Sequence, residues 1–153
     1  MSNRTYEDRE IRLVTEWVSQ VYPRERVVFR YRIVTPPPYV PAGWTADQAT
    51  QLLKPTGFMV DAVVLKVNES VIIEAKTDNE SQAIGQLKFY KYLIETYPTL
   101  QDFSVGLVHP VMLFARVNPD LQKFALQEGV DVSVYSPDWI QSFLKNGYTG
   151  GPS

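Results

Sequence analysis

The chain has no cysteine and a single histidine in its 153 residues. Without cysteine there is no disulfide framework and no thiolate metal site. That fits a reducing compartment, and the expectation is a cytoplasmic protein, or one of the host cell if the source is viral. With His109 alone, a zinc hydrolase lacks nitrogen ligands. A Ser-His-Asp hydrolase would have to be built on that one base. His109 reads instead as an ordinary hydrogen-bonded residue at a strand end. No apolar run approaches the roughly 18 residues of a membrane span, and the first ten residues are too charged for a secretory signal. A basic excess is missing too: the net charge is −2 and the pI about 5.4. A free-standing duplex binder usually carries a basic face. Any nucleic-acid contact must therefore come from a local patch or from a metal that offsets the acids. The candidate cations are Arg24, Arg26, Arg30, Arg32, Lys54, Lys88 and Lys91, each of which also reads as plain solvated surface.

What is present is ordinary for a soluble globular protein: 44% apolar and 21% charged residues. The length suits one domain over residues 1–153 with a real core, and a loose tail from Gly147.

The most informative stretch runs Asp61-Ala-Val-Val-Leu-Lys-Val-Asn-Glu-Ser-Val-Ile-Ile-Glu74-Ala-Lys76. Its Val, Ile and Leu content predicts two strands, 61–67 and 70–76, joined by a turn at Asn68-Glu69. Counting outward, Leu65 faces Ile72, Val63 faces Glu74, and Asp61 faces Lys76. Opposed residues share a sheet face with Cβ atoms roughly 4.5–5.5 Å apart. Asp61, Glu74 and Lys76 would then converge at one end of the hairpin. A slip of one residue would send Glu74 and Lys76 to the other face. The bland alternative is an exposed cross-strand pair. Against it, Glu74 and Lys76 interrupt a run, Val71-Ile72-Ile73, that looks buried on both faces.

Residues 5–22 predict an amphipathic helix with Ile11, Val14, Val18 and Val21 inward, Glu7 and Glu10 on or beside that stripe, and Glu16 pointing away. Glu7 and Glu10 suit either the helix dipole or a ligand role. Residues 27–34 alternate, with Val27, Phe29, Tyr31 and Ile33 on one face. A stiff connector follows, from Thr35 to Pro41. Thr45 and Gln48 stand in capping-box spacing before a helix to Leu53. Asp78 or Asn79 can cap a helix to about Glu95, with Ala83, Leu87, Tyr90, Ile94 and Tyr97 inward. Gln86 lies four residues before Tyr90 on that face, either turned toward the hairpin or reaching water at the edge. Residues 103–109 suggest a strand, and 111–117 have no assigned role. Asn118, Pro119 and Gly129 bracket a helix over 118–128. A strand over 130–135 and a helix over 137–146 complete the order.

With Asp61, Glu74-Ala-Lys76 and Gln86-Leu-Lys-Phe-Tyr90 in this order of elements, the chain resembles the PD-(D/E)XK nuclease superfamily. Gln-x-x-x-Tyr on the following helix is similar to its RecB-like branch, and Val-Ile-Ile-Glu74-Ala-Lys76 to the nuclease regions of type I restriction subunits. The resemblance covers roughly residues 5–109, with Val60 where the superfamily's name has proline. It implies a restriction-endonuclease-like α/β fold, a three-layer αβα core with a mixed central sheet. It also implies Asp61 and Glu74 as Mg2+ ligands, Lys76 beside the attacking water, and a further acid from Glu10 or Glu7. Ala75 would offer only its backbone carbonyl. Gln86 would assist catalysis or, with Tyr90, touch DNA, and Arg30, Arg32 and Lys88 would be the cations that meet it. Such chemistry suits magnesium, which prefers oxygen ligands, with Mn2+ as substitute. The expectation is thus a Mg2+-dependent deoxyribonuclease acting on DNA without a membrane, in a family where many members pair as homodimers. The alternative is a module of the same fold that binds DNA or a protein partner without turnover. A hydrolase of another phosphate ester is a third reading.

Overall fold

The computed structural model describes residues 3–37, 39–53, 57–78 and 80–149. Helix α1 (Asn3–Val21) leads into strand β1 (Arg26–Arg32), helix α2 (Ala46–Leu53) and the hairpin β2 (Met59–Leu65) and β3 (Glu69–Lys76). Helix α3 (Gln82–Thr96), strand β4 (Leu107–Phe114), helix α4 (Pro119–Gln127), strand β5 (Asp131–Val134) and helix α5 (Asp138–Thr149) follow. The sheet runs β1-β2-β3-β4-β5, antiparallel from β1 to β3 and parallel from β3 to β5. Even-numbered β3 residues such as Ile72 pack with α3 and α4, through Leu87, Ile94, Leu121 and Ala125. Odd-numbered ones such as Ile73 pack with α1 and α5, through Leu13, Val14, Ile140 and Leu144. This is the α/β fold with a three-layer αβα core and a mixed sheet that the restriction-endonuclease resemblance implies. β3 is central, which is why its apolar run continues across both faces. Among the described residues, no helix is long and apolar enough to cross a membrane.

Several elements depart from expectation. The turn between β2 and β3 is centred on Val67-Asn68, not Asn68-Glu69, because Lys66 N–H donates to Glu69 C=O at 2.9 Å and Leu65 pairs with Ser70. β4 starts later than expected, at Leu107 within 103–109, and continues through Phe114 into the stretch that had no assigned role. It runs through Pro110, which lacks an N–H. Proline is tolerated there because β4 gains its second neighbour, β5, only from Val111 onward. His109 sits within β4 rather than at its end, its Nε2 2.6 Å from Asp131 Oδ2. α1 buries Leu13, Val14, Trp17 and Val18, a stripe rotated from the one expected, and exposes Val21. Trp17 outweighs Ile11 in buried area. Glu16 does not point away: it accepts hydrogen bonds from Tyr135 Oη at 3.0 Å and Trp139 Nε1 at 2.9 Å. α3 starts at Gln82, since Asp78 is engaged by Arg116 at 2.8 Å; Asn79 lies outside the described residues. α5 continues through Thr149 where a loose tail was expected from Gly147.

The alternation of β1 fails at one residue. Arg30 has φ 52°, the one positive value among described non-glycine residues. Phe29 and Tyr31 pair with Ala62 and Val60, so the register is intact, but β2 changes face at the same point, with Val60 and Val63 on the α3 side and Ala62 on the α1 side. The faces of β1 reverse with it. Val27 packs on the α1 side, Tyr31 and Ile33 on the α3 side, and Phe29 is exposed.

The caps of α2 and α4 are as expected. Thr45 and Gln48 bond each other's backbone at 2.8 and 3.1 Å, and Asn118 accepts from Leu121 N–H.

The hairpin turn is held from outside. Leu107 N–H donates to Asn68 C=O at 3.0 Å, and Gly106, at φ 61°, lets the backbones touch. A Cβ on Gly106 would lie 2.5 Å from Asn68 O and 2.7 Å from its carbonyl carbon. Both are backbone atoms and cannot swing away. Gly106→Ala should therefore cost about 2–4 kcal/mol, combining left-handed strain with overpacking. That corresponds to a Tm lower by roughly 5–15 °C. Gly129, at φ 79° with open space around it, should lose only about 1–2 kcal/mol as alanine. Thermal denaturation of the two variants checks the contrast, and equal losses would refute the turn contact.

Candidate active site

At the carboxyl end of β3 the two strands of the hairpin are joined through side chains. The observed register, extended one residue past Ala62–Ile73, sets Asp61 opposite Glu74, not opposite Lys76. Asp61 N–H donates to Glu74 Oε1 at 3.1 Å, and Ala75 N–H donates to Asp61 Oδ2 at 2.8 Å. Each carboxylate thus holds the backbone of the other strand. The face assignment survives the shifted turn. Moving a two-residue turn by one position changes the pairing by two, which keeps inward residues inward.

Lys76 ends β3 two residues beyond Glu74 on the same face. Its Nζ lies 3.7 Å from Glu10 Oε2 and 3.6 Å from Glu80 Oε2. Glu10 comes from α1 and Glu80 from the segment before α3, so both helical layers reach the sheet end here. Glu10 is the first-helix acid that meets the cluster; the side chain of Glu7 lies outside the described residues. Tyr90, buried on α3, takes a hydrogen bond from Gln86 Nε2 at 2.6 Å. Its hydroxyl pKa is raised by burial and then by the charge of Glu74 and Asp61, so Tyr90 forms the α3 wall of the site. Gln86 itself is exposed and stands at the rim.

The electrostatics are unusual for a sheet interior. Glu74 is 5% exposed and is the one charged residue among the buried polar side chains of the described chain. Burial, then the Asp61 charge, pushes its pKa from 4.5 to about 8. Glu10 is pushed to about 7, chiefly by burial, with Lys76 opposing. Asp61 is also shifted upward by burial, against the Ala75 N–H, Lys76 and Arg30. Burial pulls the Lys76 pKa down, but the surrounding carboxylates overcome it and leave the ammonium above its ordinary value. Four carboxyl groups, Glu10, Asp61, Glu74 and Glu80, face the two cations Lys76 and Arg30, an excess of two acids that the raised pKa values of Glu74 and Glu10 keep partly protonated near neutral pH.

That donor set fits a divalent, oxygen-seeking cation, which needs only one or two carboxylates and otherwise keeps its waters. Among the described residues, no three His, Cys, Asp or Glu side chains already form a metal cage. Two other expected residues fall elsewhere. Lys88 pairs with Glu128, the residue that caps the end of α4, at 2.9 Å, away from the cluster. Arg32 reaches the Gly57 carbonyl at 3.4 Å, beside the site rather than in it. Glu80 escaped the sequence reading, since its spacing from a strand residue carries no periodic signal. The Asp78–Arg116 pair, which ties the end of β3 to the end of β4, was equally silent.

A carboxyl whose pKa rises on folding binds its proton more tightly in the native state. Its contribution to stability is full below about pH 4.5 and is lost as pH climbs to about 8 for Glu74. Glu10 runs the same way, up to about 7. Metal-free Glu74→Gln should therefore melt above the wild type at pH above 8, with the gap closing toward pH 4.5. Each 1 kcal/mol of relief is worth about 2–4 °C at this length. A variant less stable than wild type at high pH would show that charge-assisted bonding outweighs burial.

No family model and no curated protein matches the chain. Solved structures do. A repair endonuclease from Pyrococcus abyssi aligns at 16% identity and a TM-score of 0.47, covering 82% of this chain and 46% of that one. Can2 from Sulfobacillus thermosulfidooxidans, in complex with cyclic tetra-adenylate, aligns at 14% and 0.48, covering 92% of this chain and 34% of that one. AF1548, a protein of unknown function, aligns at 13% and 0.51, covering 90% of this chain and 67% of that one. The chain thus spans less than half the length of the first two, and its likeness to the third is one of fold.

Proposed function

We propose that this chain is a metal-dependent nuclease that hydrolyses phosphodiester bonds in DNA, akin to the RecB-like branch of its superfamily. The observation that supports it is the cluster of Asp61, Glu74, Lys76 and Glu10, brought together from two strands and a helix with two carboxyl groups in excess of its one cation. A structural ion pair has no use for that excess. Asp61 and Glu74 would hold the ion, with Glu10 as third ligand. Magnesium bound there would polarise a phosphoryl oxygen and acidify water, and manganese suits the same oxygen donors.

The rest falls to the chain's own groups. Lys76 stays protonated among its carboxylates, so it orients and donates and does not act as a base. Its ammonium would offset the charge that builds on the phosphate as the water oxygen bonds to phosphorus and the ester oxygen leaves, the water's proton passing to solvent and the leaving oxygen taking one from it. Tyr90, fixed by Gln86, walls the site on the α3 side, and the buried carboxylates keep β2 and β3 aligned beneath it.

One observation favours a second reading, a nuclease-fold module that binds without turnover. Asp61 and Glu74 each already engage a backbone N–H.

Nicking of supercoiled plasmid with Mg2+ or Mn2+ separates the two. The wild type should cleave, and a chelator should stop it. Glu74→Ala and Asp61→Ala should fall to background, while Lys76→Ala should lose about 10²–10³-fold. Lys76→Arg should not restore the rate, because a planar guanidinium does not replace a compact ammonium. DNA association that ignores metal and survives Glu74→Ala, with no cleavage by the wild type, would select the binding module.

A further inference from the structure

Beside the carboxylates lies a run of surface aromatics that the hydrolytic chemistry leaves unused. Phe58, Phe89 and Tyr92 are 49%, 43% and 59% exposed. Scattered exposed aromatics need no explanation, but these three are contiguous. Phe58 meets Phe89 edge-on, with centroids 5.2 Å apart at 87°. Phe89 stacks on Tyr92 at 6.3 Å and 12°. The run starts at the site wall: Phe58 lies 6.1 Å from the ring of Tyr90, which feels the Glu74 and Asp61 charges. The Phe58 carbonyl accepts from Ile33 N–H at 2.7 Å, so the first ring is anchored to the end of β1.

Building on the nuclease reading, we propose that Phe58, Phe89 and Tyr92 form a stacking strip that guides an unpaired nucleic-acid strand into the Asp61–Glu74 site. Three features choose this occupant. Ring faces on an exposed helix surface can accept base faces, which a duplex hides in its stack and a single strand offers. A duplex footprint would instead call for a basic face, and this chain is acidic, with pI about 5.4. Cations stand where the strip meets the site. Arg32 lies against Gly57, the residue before Phe58, and Arg30 feels Asp61. At the far end Lys91 and Lys88 are balanced by Glu95 and Glu128. Along the strip the lysines are thus neutralised and stacking supplies the grip, while attraction for phosphate beside the carboxylates awaits the divalent ion.

The test is fluorescence anisotropy of the metal-free protein with oligo(dT), oligo(U) and a hairpin duplex, each of about 20 nucleotides. The wild type should favour the single strands, with the dT and U arms telling DNA from RNA. The pair Phe58→Ala and Phe89→Ala should weaken single-strand binding by about 10- to 100-fold and duplex binding far less. Phe58→Leu with Phe89→Leu keeps apolar bulk if the alanine variant melts early, and should show most of the same loss. Tyr92→Ala should show a smaller one. Equal affinity for duplex and single strand, unchanged in these variants, overturns the strip, as does failure of the wild type to bind any probe. Loss of self-association in the variants, read by sedimentation without a change in nucleic-acid affinity, also overturns it and assigns the rings to a protein interface. Cleavage with Mn2+ is measured alongside. Strip-dependent binding with no cleavage would uphold the strip and count against the nuclease, whereas wild-type cleavage with strip-independent binding would do the reverse.

Discussion

The constraint on which the rest depends is the burial of Glu74 in a central strand. An ionised carboxylate in a sheet interior costs several kcal/mol unless other groups meet it. Here compensation comes from three directions. Asp61 N–H reaches across from β2, Lys76 supplies charge from the next inward position of β3, and Glu10 and Glu80 hold that ammonium in place. The Asp61 N–H would be out of range if the hairpin register moved by one residue, because Glu74 would then face the other side of the sheet relative to β2. The turn contact between Gly106 and Asn68, at the opposite end of the same strands, is therefore part of the site's geometry. Compensation is also incomplete, as the upward shifts of Glu74 and Glu10 show. The fold tolerates an energetic liability here that an apolar side chain would remove.

Much of this was legible in the letters because strand parity is robust. The turn was expected at Asn68-Glu69 and lies at Val67-Asn68. That error changes which residues are opposed, giving Asp61 Glu74 instead of Lys76. It does not change which residues share a face. The inward set Asp61, Val63, Glu74 and Lys76 survives, and so does the cluster. The capping box at Thr45 and Gln48 and the Asn118 cap were legible for a similar reason. Each depends on local hydrogen-bonding chemistry at a fixed offset, and no distant contact can alter it.

What escaped is what tertiary contact decides. Nothing in Val27 to Ile33 signals that Arg30 adopts a left-handed backbone and reverses the strand's faces. Across the sheet Arg30 lies beside Asp61 and helps to balance it, a contact no local pattern announces. Pro110 hid the length of β4, because a proline normally argues against a central strand. That β5 joins only after it is a fact of topology. α1 was read by period alone, and Trp17 and the Glu16 contacts to Tyr135 and Trp139 turned the helix from that reading. Pattern located the elements, while packing set their rotation and their ends.

The acidity of the chain becomes intelligible from the same site. A polyanion is ordinarily met by many lysines and arginines, at the cost of strong salt dependence. Here acids outnumber cations, so once ionised they would oppose a phosphate until a divalent cation filled the site. On the proposed reading, metal and substrate would bind cooperatively, because the cation would offset the carboxylate charge that repels phosphate and the phosphate would add charge that attracts the cation. Such a site needs little help from long-range attraction if stacking can hold the strand nearby, and aromatic faces do so without adding charge. The exposed rings and the buried carboxylates are in this sense complementary. On the proposed reading, the rings would supply an affinity nearly indifferent to salt, and the carboxylates would make binding at a phosphate conditional on a divalent ion.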